Sequence, residues 1–344
     1  MFKKILLGIL LVIVAFCAWN CNVILYGINQ GIGQVKIGRE AKPIEEVLAD
    51  SSFPDSLKEK LLLIQEIKQF AVDSLGIYKS DNYTTVYDQK GKPIMWVITA
   101  CKPFEFKPYE WHFPFLGKFT YKGYFKKEKA EKELAELKEE GYDTELGTAK
   151  AYSTLGWFKD PILSGMLKSP PGSIARLIIH ELTHGTLYIK DSVTYNENLA
   201  TFVGDQGAVL FLKFKYGEQS KEMKDYLGNI SDIERFSNHV LAGMKELDSL
   251  YKSERFMNLP EEHKKLEKAA KIKQITSSAD TISFYNRERF AEVFSPEFEA
   301  NNNFFLTYVM YREEQNSFEE EFRTRFHSNF KEYLTYLKSR YSTL

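Results

Sequence analysis

Two histidines that lie four residues apart in an apolar, helix-forming stretch constrain this chain more than any other feature. The stretch reads PPGSIARLIIHELTHGTLYI, and its opening Pro-Pro-Gly predicts a helix that begins near Ser173. Residues i and i+4 share one face of an α-helix, so His180 and His184 can both offer a ring nitrogen to one ion. Glu181 lies about 100° further round the helix, where its carboxylate can reach a water molecule beside that ion without easily binding the ion itself. This HExxH pattern predicts a zinc site with its own general base.

A third metal ligand has to come from another element, because catalytic zinc usually takes three protein ligands and keeps a fourth place for water. Glu197 follows His184 by 13 residues, and the stretch ENLATFVGDQGAVLFLKFKYG predicts a second long helix that Glu197 opens. The KDSVTYN segment before it is long enough to turn the chain back toward the first helix. We therefore predict Glu197 as the third ligand, with Asp191 as the alternative. The competing interpretation is a pair of ordinary packed histidines and a solvated Glu181.

Composition excludes several classes of protein. Hydrophobic residues make up 44% of the chain and charged residues 27%, which is ordinary for a globular protein with a proper core. The net charge of −1 gives no reason to expect a nucleic-acid partner. Of the three cysteines, Cys17 and Cys21 lie in the N-terminal apolar segment, so Cys101 alone belongs to the body of the protein. One body cysteine cannot form an internal disulfide framework, and we expect Cys101 to be a small buried hydrophobic residue.

The N-terminal segment predicts a link to a membrane. Lys3 and Lys4 precede an apolar run that extends, with one polar interruption, from Ile5 to Tyr26. Three interpretations stay open: a retained transmembrane helix with Tyr26 at the membrane interface, a lipoprotein signal that makes Cys21 the acylated residue, and a cleaved secretory signal. All three keep the basic start in the cytoplasm and place the body on the periplasmic or extracellular side. Residues 1–28 are therefore predicted to be a membrane anchor or signal segment, with the membrane as a partner.

The remaining residues, 29–344, predict one α+β body that is mostly helical. From about 80 to 158, β-branched and aromatic residues alternate with Gly and Pro turns, which indicates a small mixed section of strands and one charged helix. A QKGKP turn in this section indicates a β-hairpin. From about 160 to 344 the apolar periodicity is helical, and this section carries the predicted metal site. No repeat or long flexible linker interrupts the chain, so we expect the sections to pack as one body.

The motif HELTH followed by NENLATFVGD resembles the gluzincin class of zinc peptidases, in which two histidines and a later glutamate hold the metal. More narrowly, the chain resembles the predicted zinc aminopeptidase family of bacteria. The similar stretches, which cover most of residues 26–210, are YGINQGIGQVKIGREAKPIEEVLAD, YEWHFPFLGKFTYKGYF, AYSTLGWFKDPILSGML and IIHELTHGTLYIKDSVTYNENLATFVGDQGA. The resemblance implies a gluzincin-like body, a peptide substrate, one Zn²⁺ held by His180, His184 and Glu197, and Glu181 as the base.

We therefore expect a zinc-dependent peptidase in which Glu181 takes a proton from a zinc-activated water. Its assignment as an aminopeptidase rests on the family resemblance, because no spacing in the sequence identifies a carboxylate that would recognise a free α-amine. The alternatives are a zinc endopeptidase or other amide hydrolase, and a non-catalytic zinc-binding envelope protein. A structural zinc would normally have four protein ligands and no need for Glu181.

Several residues near the motif are candidates for supporting roles. A tetrahedral oxyanion needs a second donor, and Tyr152, Tyr188 and Tyr195 lie near the motif in sequence. Asp205 lies two helical turns after the third ligand and could orient a ligand histidine, although a surface charge is an equal alternative. The aromatic run Trp111–Phe125 could line a substrate groove or form core strands.

Overall fold

A computed structural model describes residues 21–113, 117–149, 159–295 and 297–341 of the chain. Over these residues the protein is α+β and mostly helical with small sheets, as the sequence predicts. Its helices are α1 Cys21–Glu40, α2 Ile44–Ala49, α3 Asp55–Phe70, α4 Lys127–Glu139, α5 Pro171–His184, α6 Val193–Tyr216, α7 Lys221–Lys252, α8 Glu254–Met257, α9 Glu261–Ser278, α10 Asn302–Arg312, α11 Gln315–Phe326 and α12 Phe330–Arg340. Its strands are β1 Lys42–Pro43, β2 Thr85–Tyr87, β3 Trp96–Cys101, β4 Trp111–Phe113, β5 Gly117–Phe119, β6 Tyr121–Tyr124, β7 Asp143–Thr148 and β8 Ile162–Leu163.

The sheets form by pairing between distant segments. Strand β3 lies between β6 and β7, antiparallel to both, and strands β4 and β5 pair as a separate antiparallel ribbon. Strand β2 pairs with β1 and, in parallel, with β8. The predicted QKGKP hairpin is therefore wrong, because β2 and β3 belong to different sheets. The chain does turn at Lys90 and Gly91, which have φ values of 51° and 74°, but a turn alone does not choose the partner of each strand.

The largest apolar core lies around α5 and α6. Helix α5 begins at Pro171, where proline is tolerated because the first amide of a helix has no intrahelical acceptor. Its apolar face is fully buried at Ile178 and Ile179. Helices α3, α6, α11 and α12 supply the opposing side chains of this core, among them Phe202 and Tyr333. The helix that carries the HExxH pattern is thus held on most sides by packed apolar residues.

Helices α5 and α6 approach closely because α6 carries glycine at the crossing point. A Cβ atom at Gly204 would lie 2.8 Å from the backbone oxygen of Arg176 and 3.2 Å from Cβ of His180. Neither a helix backbone nor the Cβ of a packed residue can move aside alone. The absence of a side chain at Gly204 therefore decides how near the start of α6 comes to the histidines of α5.

We expect Gly204→Ala to separate α5 from α6 and to lower the free energy of unfolding by about 1–3 kcal/mol, the usual cost of overpacking. Chemical denaturation of the purified protein measures this change. Gly38→Ala in α1 is a matched control, because a Cβ atom there meets nothing within 4 Å. Alanine favours helix over glycine, so the control should leave stability unchanged or raise it by up to about 1 kcal/mol. Equal effects of the two substitutions would contradict this account.

The prediction of a membrane-anchored protein is wrong on the finding that no helix of the described residues is both long and apolar enough to cross a bilayer. Residues 1–20, the first part of the predicted segment, lie outside the described residues. Tyr26, predicted to lie at a membrane interface, packs instead on the sheet of β6, β3 and β7, which we call the small sheet. Its hydroxyl donates a hydrogen bond of 2.9 Å to the carbonyl of Gly123, and its ring lies 5.4 Å from that of Phe113.

Candidate metal centre

The structure brings His180, His184 and Glu197 together at the end of α5 and the start of α6. Nε2 of His180 lies 3.3 Å from Oε2 of Glu197, and Nε2 of His184 lies 3.6 Å from Oε1. The two Nε2 atoms are 3.2 Å apart. The side chains are only 9%, 5% and 12% exposed, respectively. Three potential ligand atoms therefore converge on one point that retains limited access to solvent.

The spacing of these atoms fits a small tetrahedral ion. Two ligands at about 2.1 Å from such an ion lie about 3.4 Å apart. The Nε2–Nε2 separation is 3.2 Å, and the two histidines lie 3.3 and 3.6 Å from different oxygens of Glu197, so all three values are near that distance. Two imidazole nitrogens and one carboxylate oxygen are also a donor set that zinc accepts. The group could hold a metal ion, and its chemistry and spacing suit zinc.

Electrostatics prepare the three groups to act as ligands. Burial lowers the pKa of His180 to about 4, so its ring is neutral and has a free lone pair. Burial alone would raise the pKa of Glu197, but His184 and His180 hold it well below the usual value, so the group is a carboxylate. Burial alone would lower the pKa of His184, but Glu197 raises it. A proton and a metal ion therefore compete for this imidazole, as they do at most metal sites.

Glu181, the predicted base, borders the cluster and is half-buried. Burial raises its pKa to about 7, with Glu197 acting in the same direction and His184 against it. Charges that act on one another in this way lie close together. Glu181 therefore lies close to the candidate ligands His184 and Glu197.

Asn196 holds the turn that returns the chain from α5 to α6. Its side-chain oxygen accepts a hydrogen bond of 2.9 Å from the amide of Ile189, and its nitrogen donates one of 2.7 Å to the carbonyl of the same residue. This pair of bonds closes the loop just before Glu197. Asp191, the alternative third ligand, is exposed and lies against Gly117 instead of joining the cluster.

Asn198, the residue after Glu197, holds the end of α10 beside the centre. This fully buried side chain donates hydrogen bonds of 3.0 and 2.7 Å to the carbonyls of Val309 and Met310. Its oxygen accepts a bond of 3.1 Å from the amide of Glu314. One amide thus binds two carbonyls near the end of α10 and one amide just after it, which positions Tyr311 and Arg312 between them.

Three half-buried tyrosines face the cluster, and sequence reasoning named only one of them. The ring of Tyr188 lies 6.0 Å from that of His184. Burial raises the pKa values of Tyr121 and Tyr311, and the charge of Glu197 adds to the effect on both. Both hydroxyls are therefore near the candidate ligands. Tyr121 belongs to β6 and Tyr311 to α10, and no spacing relative to HExxH could have indicated either of them.

The other candidates for supporting roles are Tyr195, Tyr152 and the aromatic run Trp111–Phe125. Tyr195 packs on Phe318 and Tyr341, with ring centroids 5.4 and 5.5 Å apart, and Tyr152 lies outside the described residues. Two residues of the aromatic run, Trp111 and Tyr124, belong to the apolar core beside the small sheet. A third residue of the run, Tyr121, lies near the candidate centre.

Asp205 does not orient a ligand histidine. Its carboxylate accepts hydrogen bonds from Arg176 at 2.5 Å and from Arg312 at 2.6 Å. The Nδ1 atoms of His180 and His184 are buried and have no hydrogen-bond partner among the described residues. The acceptor that usually orients a zinc-binding histidine is therefore not found there.

Comparison with known families gives one match. A family model whose description reads "Putative aminopeptidase" matches residues 25–341, which is nearly the whole chain and includes every residue of the candidate centre. Neither a curated protein nor a solved structure matches the chain.

Proposed function

Since the chain belongs to the family described as "Putative aminopeptidase", we propose that it is a zinc-dependent peptidase, and specifically an aminopeptidase. His180, His184 and Glu197 would hold one Zn²⁺, and Glu181 would act as the general base. The observation that carries this proposal is the convergence of three ligand atoms within 4.8 Å of one another, with a glutamate of raised pKa beside them.

When bound, zinc supplies a Lewis acid that polarises the scissile carbonyl and makes a bound water more acidic. The remaining chemistry belongs to residues of this chain. Glu181 accepts a proton from the attacking water and then returns it to the leaving amine, since a carboxyl group with a pKa near 7 can do both at neutral pH. The apolar packing around α5 excludes bulk water from the ligands and strengthens the charge interactions among them.

The tyrosines near the cluster suit stabilisation of the tetrahedral oxyanion. Tyr121, Tyr188 and Tyr311 all have raised pKa values, chiefly because of burial, so each hydroxyl keeps its proton at neutral pH and can donate it in a hydrogen bond. A fixed donor at this position contributes to catalysis because the negative charge develops only in the transition state. Tyr311 is the most firmly placed of the three, since Asn198 holds the end of its helix.

A structural zinc site is the less favoured interpretation. Among the described residues, the cluster offers three donors of the His, Cys, Asp or Glu type, whereas structural zinc usually has four protein ligands. The half-buried Glu181 would also have no purpose beside a structural ion. An endopeptidase with the same centre is the second candidate, because the same ligands and base serve either kind of cleavage.

Substrates with free and blocked amino termini separate these two candidates. We expect the zinc-loaded protein to release the first residue from unblocked peptides and to leave the matched N-acetylated peptides uncleaved, because an aminopeptidase must bind the free α-amine. Quantifying the released amino acids over time measures this difference. Cleavage of both sets at similar rates would identify an endopeptidase, and cleavage of neither would contradict the proposed function.

A further inference from the structure

Two arginines share one buried carboxylate next to the candidate metal centre. Nε of Arg176 lies 2.5 Å from Oδ1 of Asp205, and Nη1 of Arg312 lies 2.6 Å from Oδ2. The side chains of Arg176 and Arg312 are 28% and 12% exposed, and that of Asp205 is 10% exposed. Because one carboxylate balances only one guanidinium, these three side chains by themselves carry a surplus positive charge.

A third guanidinium adds to the surplus. Burial, together with the charges of Arg176 and Arg312, lowers the pKa of Arg289, so this side chain lies near the other two. Of the other acids near these arginines, Asp232 is already occupied by Arg235 and by two backbone amides, and Glu181 is the predicted base of the candidate centre. The residues outside the described ranges contain no Asp or Glu, so no acidic side chain from those stretches can balance the cluster. A surplus buried charge is costly unless a counter-charge arrives.

This surplus positive charge lies beside the candidate metal centre. Arg176 precedes His180 by four residues on α5, which places both on one face of the helix with a rise of about 6 Å between them. Arg312 directly follows Tyr311, one of the tyrosines at the cluster. The charge of Arg176 also acts against the raised pKa of Tyr311 and of Glu181. The arginines therefore lie near the candidate ligands and the predicted base.

Arg176 keeps one edge of its guanidinium open. It uses Nε to bind Asp205, and its two Nη groups have no hydrogen-bond or ion-pair partner among the described residues. A planar guanidinium binds a carboxylate best through two parallel hydrogen bonds. Asp205 fixes the plane of the group and leaves the Nη pair directed elsewhere, so Asp205 acts as a positioning residue.

We propose that Arg176, held in place by Asp205, binds a carboxylate of the peptide substrate. This inference rests on the proposed peptidase function and specifies its substrate class. An extended chain spans about 3.3–3.6 Å per residue, so the offset of about 6 Å along the helix corresponds to one or two residues from the scissile bond. The substrates are short peptides with a free carboxyl terminus, or peptides with an acidic side chain in that place.

Matched peptides test the inference and distinguish its two sources of carboxylate. The full-length zinc-loaded chain is assayed with Ala-Ala and Ala-Ala-Ala, with their carboxyl-terminal amides, and with Ala-Asp amide. We expect kcat/KM for the free acids to exceed that for the plain amides by roughly ten- to hundredfold, the range of a hydrogen bond between charged groups. Rapid cleavage of Ala-Asp amide would identify the side chain as the source, and slow cleavage would identify the terminal carboxylate.

The ratio of free acid to amide decides the role of Arg176, because misfolded protein lowers both rates equally and leaves the ratio unchanged. Arg176→Gln should bring the ratio close to one, and Arg176→Lys, which keeps the charge without the planar fork, should restore part of it. Arg323→Gln is the control, since Arg323 is exposed on α11 and has no hydrogen-bond or ion-pair partner among the described residues. A wild-type ratio that persists in Arg176→Gln would overturn the inference.

A binding measurement separates this inference from the proposed catalysis. Glu181→Gln is titrated calorimetrically with Ala-Ala and with Ala-Ala amide, before and after the additional Arg176→Gln change. Tighter binding of the free acid that is lost with Arg176 supports the carboxylate site even if no peptide is hydrolysed. Equal binding of acid and amide by the parent Glu181→Gln protein overturns the site even if peptides are hydrolysed.

Discussion

Replacing Glu181 by glutamine is expected to abolish most peptide hydrolysis while the protein keeps its metal. Glutamine has nearly the same shape but cannot accept a proton from water. A positioned general base contributes about 10²–10⁴ in rate, so kcat should fall by that factor. Steady-state kinetics on an unblocked peptide and elemental analysis of the same sample measure the two quantities. Unchanged hydrolysis, or loss of the metal together with activity, would contradict the assigned role.

A loss of folding stability should not account for the activity lost in Glu181→Gln. Burial raises the pKa of Glu181 to about 7 in the metal-free protein, above its unfolded value near 4.5. An acid with a raised folded pKa lowers stability at pH values above the unfolded pKa, because folding then disfavours its charged form. Removing the charge should therefore leave the metal-free protein at least as stable at pH 8. Glu234→Gln, at an exposed position of α7, is the control and should change neither activity nor stability.

Glu197→Gln is expected to remove the metal itself. His184 and His180 hold the pKa of Glu197 below the usual value, against the effect of burial, so the native ligand is a charged carboxylate. Its replacement by a neutral amide leaves the divalent ion with two neutral imidazoles and without its one negatively charged ligand. Changes to residues that merely orient a ligand cost about ten- to hundredfold in metal affinity, so loss of a ligand should cost more. Competition with a chelator of known zinc affinity measures the change.

Asp191→Asn provides the matched control for this substitution. Sequence reasoning offered Asp191 as the alternative third ligand, but its side chain is exposed and lies against Gly117. Zinc affinity should therefore be unchanged in Asp191→Asn and greatly reduced in Glu197→Gln. The reverse result would exclude the ligand set proposed for this centre.

The prediction of the ligand cluster rested on patterns that are local in the amino-acid sequence. His180 and His184 share a helix face because of the fixed period of the α-helix, and one short turn brings Glu197 back to them. Every step of that prediction depends on residues close together in the chain. The roles of these residues as metal ligands and of Glu181 as base stay predictions until zinc and activity are measured.

Residues from distant segments escaped sequence reasoning. Tyr121 reaches the cluster from the small sheet, and Tyr311 and Arg312 reach it from a helix more than 100 residues after the motif. The placement of Tyr311 and Arg312 depends on Asn198, whose hydrogen bonds to α10 cross 111 and 112 residues of sequence. The failed hairpin around QKGKP has the same cause, since β2 and β3 each pair with strands from elsewhere.

The amino-acid sequence by itself determined that this protein is mostly helical and that two imidazoles and a carboxylate can meet on neighbouring helices, because helical periodicity and a short loop are local properties. Only the tertiary structure decided what surrounds those groups. It directed Asp205 to two arginines instead of a histidine, and it brought tyrosines from the sheet and from α10 to the cluster. Such contacts depend on packing between segments far apart in the chain, and no spacing along the sequence encodes them.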